Sequence, residues 1–232
     1  MLLEVKNVYK SFHTGSHTVD VLKDVSFQIE RESICALLGP SGSGKSTLLN
    51  IIGGIEMPDR GSIVFDGVEI GGQDERKLGH YRRKRLGYVF QSYNLIPNLT
   101  LKENVECGAY LSDEPLDVED LLHTLGLWDR QDQLPSQLSG GEQQRTAMGR
   151  ALVKKPGLLL CDEPTGALDY KTSRELLALL EKVNRKYGCT VMIVTHNEAI
   201  QGMADQIIRL HDGAIRSDER NTNKRKASEI SW

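Results

Sequence analysis

One stretch of the chain has the residue types and spacing of a loop that binds phosphate groups. It reads Gly39-Pro40-Ser41-Gly42-Ser43-Gly44-Lys45-Ser46, which matches the pattern G-x-x-x-x-G-K-[ST] in full. Glycines let the backbone turn successive N–H groups inward, and a helix after the loop adds the positive end of its dipole. We expect Lys45 to reach the β- and γ-phosphates of a nucleotide, Ser46 to bind Mg²⁺, and Thr47 to hydrogen-bond near the α-phosphate.

Two adjacent carboxylates follow a separate apolar run. Asp162 and Glu163 come directly after Leu158-Leu159-Leu160-Cys161, a run typical of a parallel strand that is buried on both faces. Ligands of open α/β sheets lie beyond the carboxyl ends of such strands. We therefore expect Asp162 to hold the Mg²⁺ shell and Glu163 to polarise an attacking water. Helix capping is the alternative role for such a pair, and the phosphate loop makes it the weaker one.

The elements that must position these residues alternate between strands and helices. Apolar residues with period two from residue 3 to 29, broken by a turn at 14–17, predict an antiparallel β-subdomain that residues 62–67 extend. Buried strands are predicted at 34–38, 86–90, 158–161 and 191–194, and helices at 47–53 and 173–187. This alternation predicts a mostly parallel α/β core.

A helical subdomain, set apart from the sheet, is predicted at about residues 92–145. Thr100 and Glu103 have the spacing of a capping box, and apolar residues between 115 and 137 continue the helical pattern. Residues 1–216 are predicted to form a single domain, and the polar residues 217–232 a mobile C-terminal tail. The basic residues 224–226 could form a docking patch, although a solvated tail is the favoured interpretation.

Composition and charge restrict the classes of partner. The 232 residues carry a formal net charge of −3, which argues weakly against nucleic acid as the main partner. The basic run at residues 82–85 is favoured as a solvated helix face. The four cysteines have no metal-site or disulfide spacing. No stretch approaches the about 18 consecutive apolar residues of a membrane span, so we expect a cytoplasmic chain that meets a membrane only through a partner.

A second glycine-serine turn lies far downstream of the phosphate loop and ahead of the strand that ends at Asp162. It reads Leu138-Ser139-Gly140-Gly141-Glu142-Gln143-Gln144-Arg145. With this turn in place, the chain resembles the ABC ATPases, the nucleotide-binding domains of ABC transporters, over almost its whole length. The resemblance implies a P-loop NTPase core with an antiparallel β-subdomain and a small helical subdomain. It also implies that Ser139, Gly140 and Gly141 bind an ATP held by a second chain, with two ATP molecules between the head-to-tail subunits of a homodimer.

The same resemblance implies roles for four further residues. Gln91 matches the glutamine that links Mg²⁺ and the attacking water to the transmembrane subunit, and His196 matches the histidine that contacts the γ-phosphate. Asp169, in Ala167-Leu168-Asp169, matches the loop that contacts the other subunit. Phe12 falls where the family places an aromatic residue that stacks on adenine. Tyr9 is a competing candidate, although it lies farther from the turn.

Segments at residues 49–54, 87–100 and 162–169 are similar to the MacB/LolD/FtsE branch of the family. The resemblance implies an ATP hydrolase that uses Mg²⁺ and is peripheral on the inner face of the cell membrane. It would drive an FtsX/MacB-like permease in export, in lipoprotein or antimicrobial-peptide handling, or in mechanotransmission. Residues 93–99 would meet the permease. An FtsE-like regulatory ATPase, which controls a cell-wall hydrolase through its permease, is the alternative within the branch.

Two other classes fit the sequence less well. A P-loop kinase of small molecules does not explain the turn at Ser139 or the pair Gln91 and His196. Soluble ABC ATPases of DNA maintenance or translation contain either long coiled-coil insertions or two cassettes in one chain, and this sequence has neither feature. We therefore expect a permease, and no nucleic acid, as the partner.

Overall fold

The computed structural model describes residues 1–15 and 17–230. Within them, a small antiparallel sheet comprises β1 (Leu3–Thr14), β2 (His17–Ile29), β4 (Arg60–Phe65) and β5 (Val68–Glu69), in the order β2-β1-β4-β5. Leu3 lies opposite Ile29 of β2 and Phe65 of β4, so buried apolar side chains of three strands meet on one face. The predicted antiparallel β-subdomain is confirmed. Ser16, within the predicted turn, lies outside the described residues.

The main sheet brings the ends of three strands to one edge. It comprises β3 (Ile34–Leu38), β6 (Leu86–Val89), β7 (Leu158–Asp162), β8 (Thr190–Thr195), β9 (Gln206–His211) and β10 (Ala214–Arg220). Their order is β10-β9-β3-β8-β7-β6, and only the pairing of β10 with β9 is antiparallel. Because β3, β8 and β7 are parallel neighbours, the phosphate loop, His196 and Asp162 all lie at the carboxyl edge of the sheet.

Helices cover the main sheet. They are α1 (Lys45–Ile52), α2 (Glu75–Lys84), α3 (Leu101–Ala109), α4 (Val118–Leu125), α5 (Gly140–Leu152) and α6 (Tyr170–Tyr187), with short 3₁₀ helices at Trp128–Arg130, Pro135–Gln137, Glu198–Met203 and Ala227–Glu229. The predicted capping box at Thr100 and Glu103 begins α3. The basic run at residues 82–85 forms the last turn and the C-cap of α2, so it lies on a helix as predicted. No helix among the described residues has the length and apolar character needed to cross a lipid bilayer.

Two apolar clusters form the core, one on each face of the main sheet. Successive side chains of a strand point to opposite faces, and accordingly Ala36 joins one cluster while Cys35 joins the other. Val105 of α3, Leu122 of α4 and Met148 of α5 belong to the same cluster as Ala36. Helices α3 and α4 pack against α5, and α5 packs against β6. The predicted small helical subdomain therefore shares an apolar cluster with the main sheet through α5.

The C-terminal region also differs from the predicted mobile tail. Residues 217–220 complete β10, and the side chains of Ala227 and Ile230 are buried in the core cluster that contains α6. The backbone N–H of Ala227 donates to Glu181 of α6 at 3.2 Å. Two isolated apolar side chains are too few to produce a periodic pattern, so the sequence carried no signal of this packing. Residues 231–232 lie outside the described residues.

Candidate active site

A cavity of about 440 Å³ opens at the carboxyl edge of the main sheet. The phosphate loop and the start of α1 form one wall, and the residues that follow β6, β7 and β8 complete it. Its lining comprises Val21, Ser41, Gly42, Gly44, Lys45, Ser46, Thr47, Gln91, Glu163 and His196. The structure therefore brings together residues of four separate sequence motifs that were each predicted to act on a nucleotide.

Two glycines of the loop are required by its conformation and its packing. Gly44 has φ 98°, in the left-handed region that favours glycine, and a Cβ there would lie 2.8 Å from the carbonyl oxygen of Val21. A Cβ at Gly39 would clash with the carbonyl oxygen of Leu210. The turn after β9 braces the loop, since the N–H of Gly213 donates to the carbonyl of Ser43 at 3.2 Å. Close backbone packing on both sides holds the loop in place.

Lys45 is buried at the first residue of α1 and turns back toward its own loop. Its Nζ donates to the carbonyl oxygens of Gly39 at 2.8 Å and Pro40 at 2.9 Å. An ammonium group has three donors, so these two bonds leave one for an anion in the cavity. The loop thus holds the positive charge beside the place where phosphate oxygens would lie.

The two predicted Mg²⁺ ligands of the loop and of β7 are adjacent. The Ser46 hydroxyl donates to Asp162 Oδ1 at 3.4 Å. The Ser46 hydroxyl, the Asp162 carboxylate and the Gln91 amide would supply oxygen ligands, which Mg²⁺ prefers. Waters and phosphate oxygens would complete the coordination shell of the ion. Residues 1–15 and 17–230 contain no group of three or more His, Cys, Asp or Glu placed to hold a metal. The residues present fit an ion that binds largely through substrate phosphates.

The electrostatics at Asp162 favour a bound cation. Burial is the largest effect on the pKa of this carboxyl and raises it, and the neighbouring charge of Glu163 raises it further. The hydrogen bond from Ser46 and the charge of Lys45 act in the opposite direction without reversing the shift. A partly buried carboxylate beside another acid is stabilised in its ionised form by a cation.

Glu163 is held in one orientation by two neighbours. Its Oε2 accepts from the Thr195 hydroxyl at 3.0 Å, and its Oε1 lies 3.0 Å from His196 Nδ1. The backbone of Glu163 has φ 44°, an unusual conformation for a residue with a side chain. Its N–H donates to the carbonyl of Val194 at 2.9 Å, which ties this turn to β8. The carboxylate is thereby fixed at the cavity wall, 16% exposed.

The contact with Glu163 determines which protons the His196 ring can carry. An ionised carboxylate only accepts hydrogen bonds, so Nδ1 must carry a proton when Glu163 is ionised. Nε2 is then left for a second partner. A phosphate oxygen that only accepts would need a donor from Nε2.

The turn at Ser139 does not line this cavity. Ser139 instead caps its own helix: the N–H of Glu142 donates to Ser139 Oγ at 3.3 Å, and the N–H of Ser139 donates to Glu142 Oε2 at 2.8 Å. A Cβ at Gly140 would lie 3.2 Å from the Tyr93 hydroxyl, and one at Gly141 would clash with Thr172 of α6. The two glycines allow α5 to pack closely against these residues.

Asp169 belongs with this turn rather than with the cavity. It caps α6, accepting from the backbone N–H of Thr172 at 3.0 Å and from its hydroxyl at 2.7 Å. These hydrogen bonds lower the pKa of the Asp169 carboxyl. Because Thr172 contacts both Asp169 and Gly141, the two motifs predicted to meet a second subunit form one continuous part of the structure.

The predicted adenine-stacking residue lies on the hairpin that borders the cavity. Phe12 of β1 is 40% exposed and pairs with Val19 of β2, two residues before Val21 of the cavity lining. The Lys10 ammonium lies 5.1 Å from the centre of the Phe12 ring. The competing Tyr9 has the Arg60 guanidinium 5.0 Å from its ring centre. Phe12 itself is outside the cavity lining, so its stacking on a base stays a prediction.

Two residues of the site were not predicted. Thr195 binds Glu163 and also accepts from the N–H of Asn197 at 3.0 Å. A hydroxyl residue at the end of a buried strand, immediately before His196, was the available signal. Val21 lines the cavity through its place on β2, and nothing in its strand pattern distinguished it from its neighbours.

Comparison with known proteins identifies the family. Residues 22–166 match the family described as ABC transporter. The chain is 42% identical over its whole length to a putative ABC transporter ATP-binding protein of Mycoplasma pneumoniae, and it spans about half (50%) of that protein's length. It is 40% identical to the lipoprotein-releasing system ATP-binding protein LolD of Syntrophus aciditrophicus, over 92% of this chain and 98% of LolD.

A solved structure supports the fold independently. The ATP-binding cassette MJ0796, in a dimeric post-hydrolysis state bound to ADP and Pi, aligns with a TM-score of 0.86 and 37% identity. The alignment covers 94% of this chain and 98% of that one. The family match over more than half of the chain, the identity to LolD over nearly its full length and the shared fold lead to one conclusion. The chain belongs to the ABC transporter family.

Proposed function

We propose that this cassette hydrolyses ATP with Mg²⁺ as one half of a head-to-tail homodimer and drives an FtsX/MacB-like permease from the inner face of the cell membrane. The observation that carries the proposal is the Glu163 carboxylate, fixed between Thr195 and His196 on a cavity whose opposite wall is the phosphate loop. A general base must be oriented before it can act. This one is oriented by two side chains that lie beside it.

The residues of the cavity divide the work of phosphoryl transfer to water. Lys45 neutralises charge on the β- and γ-phosphates through the donor that its own loop leaves free. Glu163 accepts the hydrogen bond of the attacking water and orients it toward the γ-phosphate. His196 donates from Nε2 to a γ-phosphate oxygen. Ser46, Asp162 and Gln91 would hold Mg²⁺, which supplies charge neutralisation on the phosphate oxygens when it is bound.

The second half of each site comes from the other chain in this proposal. Ser139 and the N–H groups that begin α5 lie at a helix N-terminus, where backbone donors favour an anion. In the single chain the Ser139 hydroxyl donates to Glu142 Oε2 at 2.7 Å, and the turn lies outside the chain's own cavity lining. Asp169 lies in the same part of the structure. A partner related by a two-fold axis would bring its turn over this cavity and receive the same contact in return.

Three features support the permease contact. Tyr93 and Asn94 both have positive φ values, 58° and 51°, so the segment at 93–99 is sharply turned. Arg150 of α5 donates to the carbonyl oxygens of both residues, at 3.0 and 2.7 Å, and links this segment to the helix that starts at Ser139. Ile96 in the same segment is 42% exposed. The likeness to LolD supports a permease of the proposed branch.

The substitution Glu163→Gln tests the hydrolytic part of the proposal. It keeps the size of the side chain but removes the base, so ATP binding should persist while phosphate release falls by about 10³-fold or more. Size-exclusion chromatography with light scattering should then show an ATP-dependent dimer. A variant that binds ATP but stays monomeric would contradict the shared site, and one that still releases phosphate at the wild-type rate would contradict the role of Glu163.

Co-purification from detergent-solubilised membranes tests the partner. The chain should bring down an integral-membrane protein, and Ile96→Asp should abolish the association while leaving ATP hydrolysis by the isolated chain unchanged. Isolation of a soluble acceptor, or of nucleic acid, would contradict the proposed partner.

A further inference from the structure

The segment that follows β10 packs back across the fold as an ordered strap. The side chain of Asn221 donates to the carbonyl oxygens of Gln201 at 3.0 Å and Ala204 at 2.9 Å. The backbone N–H of Arg225 donates to the carbonyl of Gly202 at 2.8 Å. All three acceptors belong to the carboxyl end of the 3₁₀ helix Glu198–Met203 and the residue after it.

The far end of the same segment is anchored on α6. Ala227 and Ile230 are 0% and 1% exposed. Glu181 of α6 is nearly buried, and it accepts from the N–H of Ala227 at 3.2 Å while it pairs with Arg185 at 2.7 Å. Arg174 of α6 also donates to the carbonyl of Ser228. We call residues 221–230 the C-terminal clamp, since they bind the 3₁₀ helix at one end and α6 at the other.

Each of the two elements joined by this clamp begins close after a predicted site residue. A single residue, Asn197, separates His196 from the 3₁₀ helix, and α6 begins directly after Asp169. A six-residue 3₁₀ helix has little stability of its own, so tertiary contacts must set its position. Arg209, which contacts Glu198 and Gln201, braces the helix from β9, while the clamp holds its carboxyl end.

We propose that the C-terminal clamp positions His196 against Glu163, with Asn221 as its principal positioning residue for ATP hydrolysis. The inference rests on the proposed role of His196. A shift of the 3₁₀ helix would reach the base through the imidazole, because His196 Nδ1 lies 3.0 Å from Glu163 Oε1. The phosphate loop, on the other wall, should keep its geometry.

The test is Asn221→Ala in the full chain, with Asn223→Ala as the matched control. Asn223 lies in the same segment with an exposed side chain, and its backbone N–H donates to Asn221 Oδ1 at 2.9 Å. We expect Asn221→Ala to lower kcat by about tenfold to a hundredfold, the range for a small misplacement in an active site. The KM for ATP should stay within about twofold, because uniform binding through the loop is untouched. Asn223→Ala should leave both constants unchanged.

A double-mutant cycle with His196→Ala separates positioning from general stability. If Asn221 acts through His196, its replacement should have no further effect on kcat when His196 is already absent. An equal loss of kcat in both backgrounds would overturn the inference, as would wild-type kcat in Asn221→Ala. If His196→Ala alone leaves turnover unchanged, the assigned role of His196 fails instead, and the two failures are thereby distinguished.

Hydrogen exchange provides a second measurement in case Asn221→Ala lowers the yield of folded protein. The milder Asn221→Ser shortens the donor group and should already accelerate amide exchange in residues 198–204 without affecting residues 39–52. Accelerated exchange over the whole domain, or none at residues 198–204, would show that the clamp does not control this helix.

Discussion

The phosphate cavity and the turn at Ser139 differ in how far a single chain completes them. In the cavity, parallel strands deliver Asp162, Glu163 and His196 to the edge where the loop holds Lys45. At the turn, Ser139 caps its own helix and lies outside the cavity lining. The cavity gathers several predicted site residues, whereas the turn does not contribute to it. In the proposed head-to-tail dimer, the cavity and the turn would be two half-sites, each completed by the other chain.

The largest expected effect comes from damaging the two half-sites in different chains. Lys45→Ala should weaken ATP binding and Ser139→Arg should prevent closure, so each variant alone should lose at least about 99% of its turnover. An equimolar mixture should recover about a quarter of wild-type activity, because half of the randomly formed dimers are mixed and each has one intact site of two. Phosphate release measures this recovery.

The same mixture has clear controls. Two variants damaged in the same motif, Lys45→Ala with Gly44→Val, should show no recovery on mixing. If Lys45→Ala leaves ATP affinity unchanged, the role of the lysine is wrong. If the mixture of Lys45→Ala and Ser139→Arg stays inactive although mixed dimers form, each cavity must be completed within its own chain.

The next effect concerns how the cavity orients its base. Thr195→Val keeps the shape of the side chain but removes the hydroxyl that donates to Glu163, and it should lower kcat by about tenfold. The KM for ATP should change little, because Thr195 lies outside the cavity lining. Steady-state kinetics at saturating Mg²⁺ measure both constants. An increase in KM at constant kcat would place Thr195 in ATP binding instead.

A smaller effect should appear in stability and depend on pH. Burial and Glu163 raise the pKa of Asp162 in the folded protein, so the ionised carboxylate is less favourable in the folded state than in the unfolded state. The free energy of unfolding is therefore highest at low pH, where the carboxyl is neutral, and falls as the pH rises through the raised pKa. Asp162→Asn should therefore increase Tm at pH 7 without Mg²⁺, and the gain should shrink as the pH is lowered. The same variant should lose Mg²⁺-dependent turnover. A lower Tm at pH 7 would contradict this account of the site.

The smallest effect distinguishes the two roles of Asp169. Asp169→Ala removes the cap of α6 and should cost about 1 kcal/mol in the free energy of unfolding, whereas Asp169→Asn keeps a good capping residue and should cost little. Denaturant unfolding measures the difference. If Asp169→Asn retains wild-type stability but loses ATP-dependent dimerisation, the carboxylate acts at the interface. Full activity in Asp169→Asn would leave the residue only its structural role.

Much of the fold could be predicted because its signals are local. The five residues of β3 are apolar and fully buried, and the run predicted a strand with both faces covered. Thr100 and Glu103 predicted the start of α3 because a capping box depends on residues three positions apart. The apolar pattern predicted helices between residues 92 and 145, but it could not reveal that α5 would link α3 and α4 to β6, since that contact is tertiary.

The order of the C-terminal region was not predicted, because it also depends on tertiary contacts. Polar residues dominate it, and its order depends on Ala227, Ile230 and the carbonyl oxygens that Asn221 meets. None of these contacts has a counterpart in local periodicity. A polar segment can be held by a few hydrogen bonds and two buried side chains when the surface that receives them already exists.

The sequence by itself determined the phosphate loop, the carboxylate pair and the family, because those signals reside in glycine conformation, spacing and short apolar runs. The tertiary structure alone decided that Thr195 and His196 hold Glu163, that the turn at Ser139 stays outside the cavity, and that residues 221–230 join Glu198–Met203 to α6. The physical reason is the same in each case. These contacts link residues that are distant in the chain, and only strand order and helix packing bring such residues together.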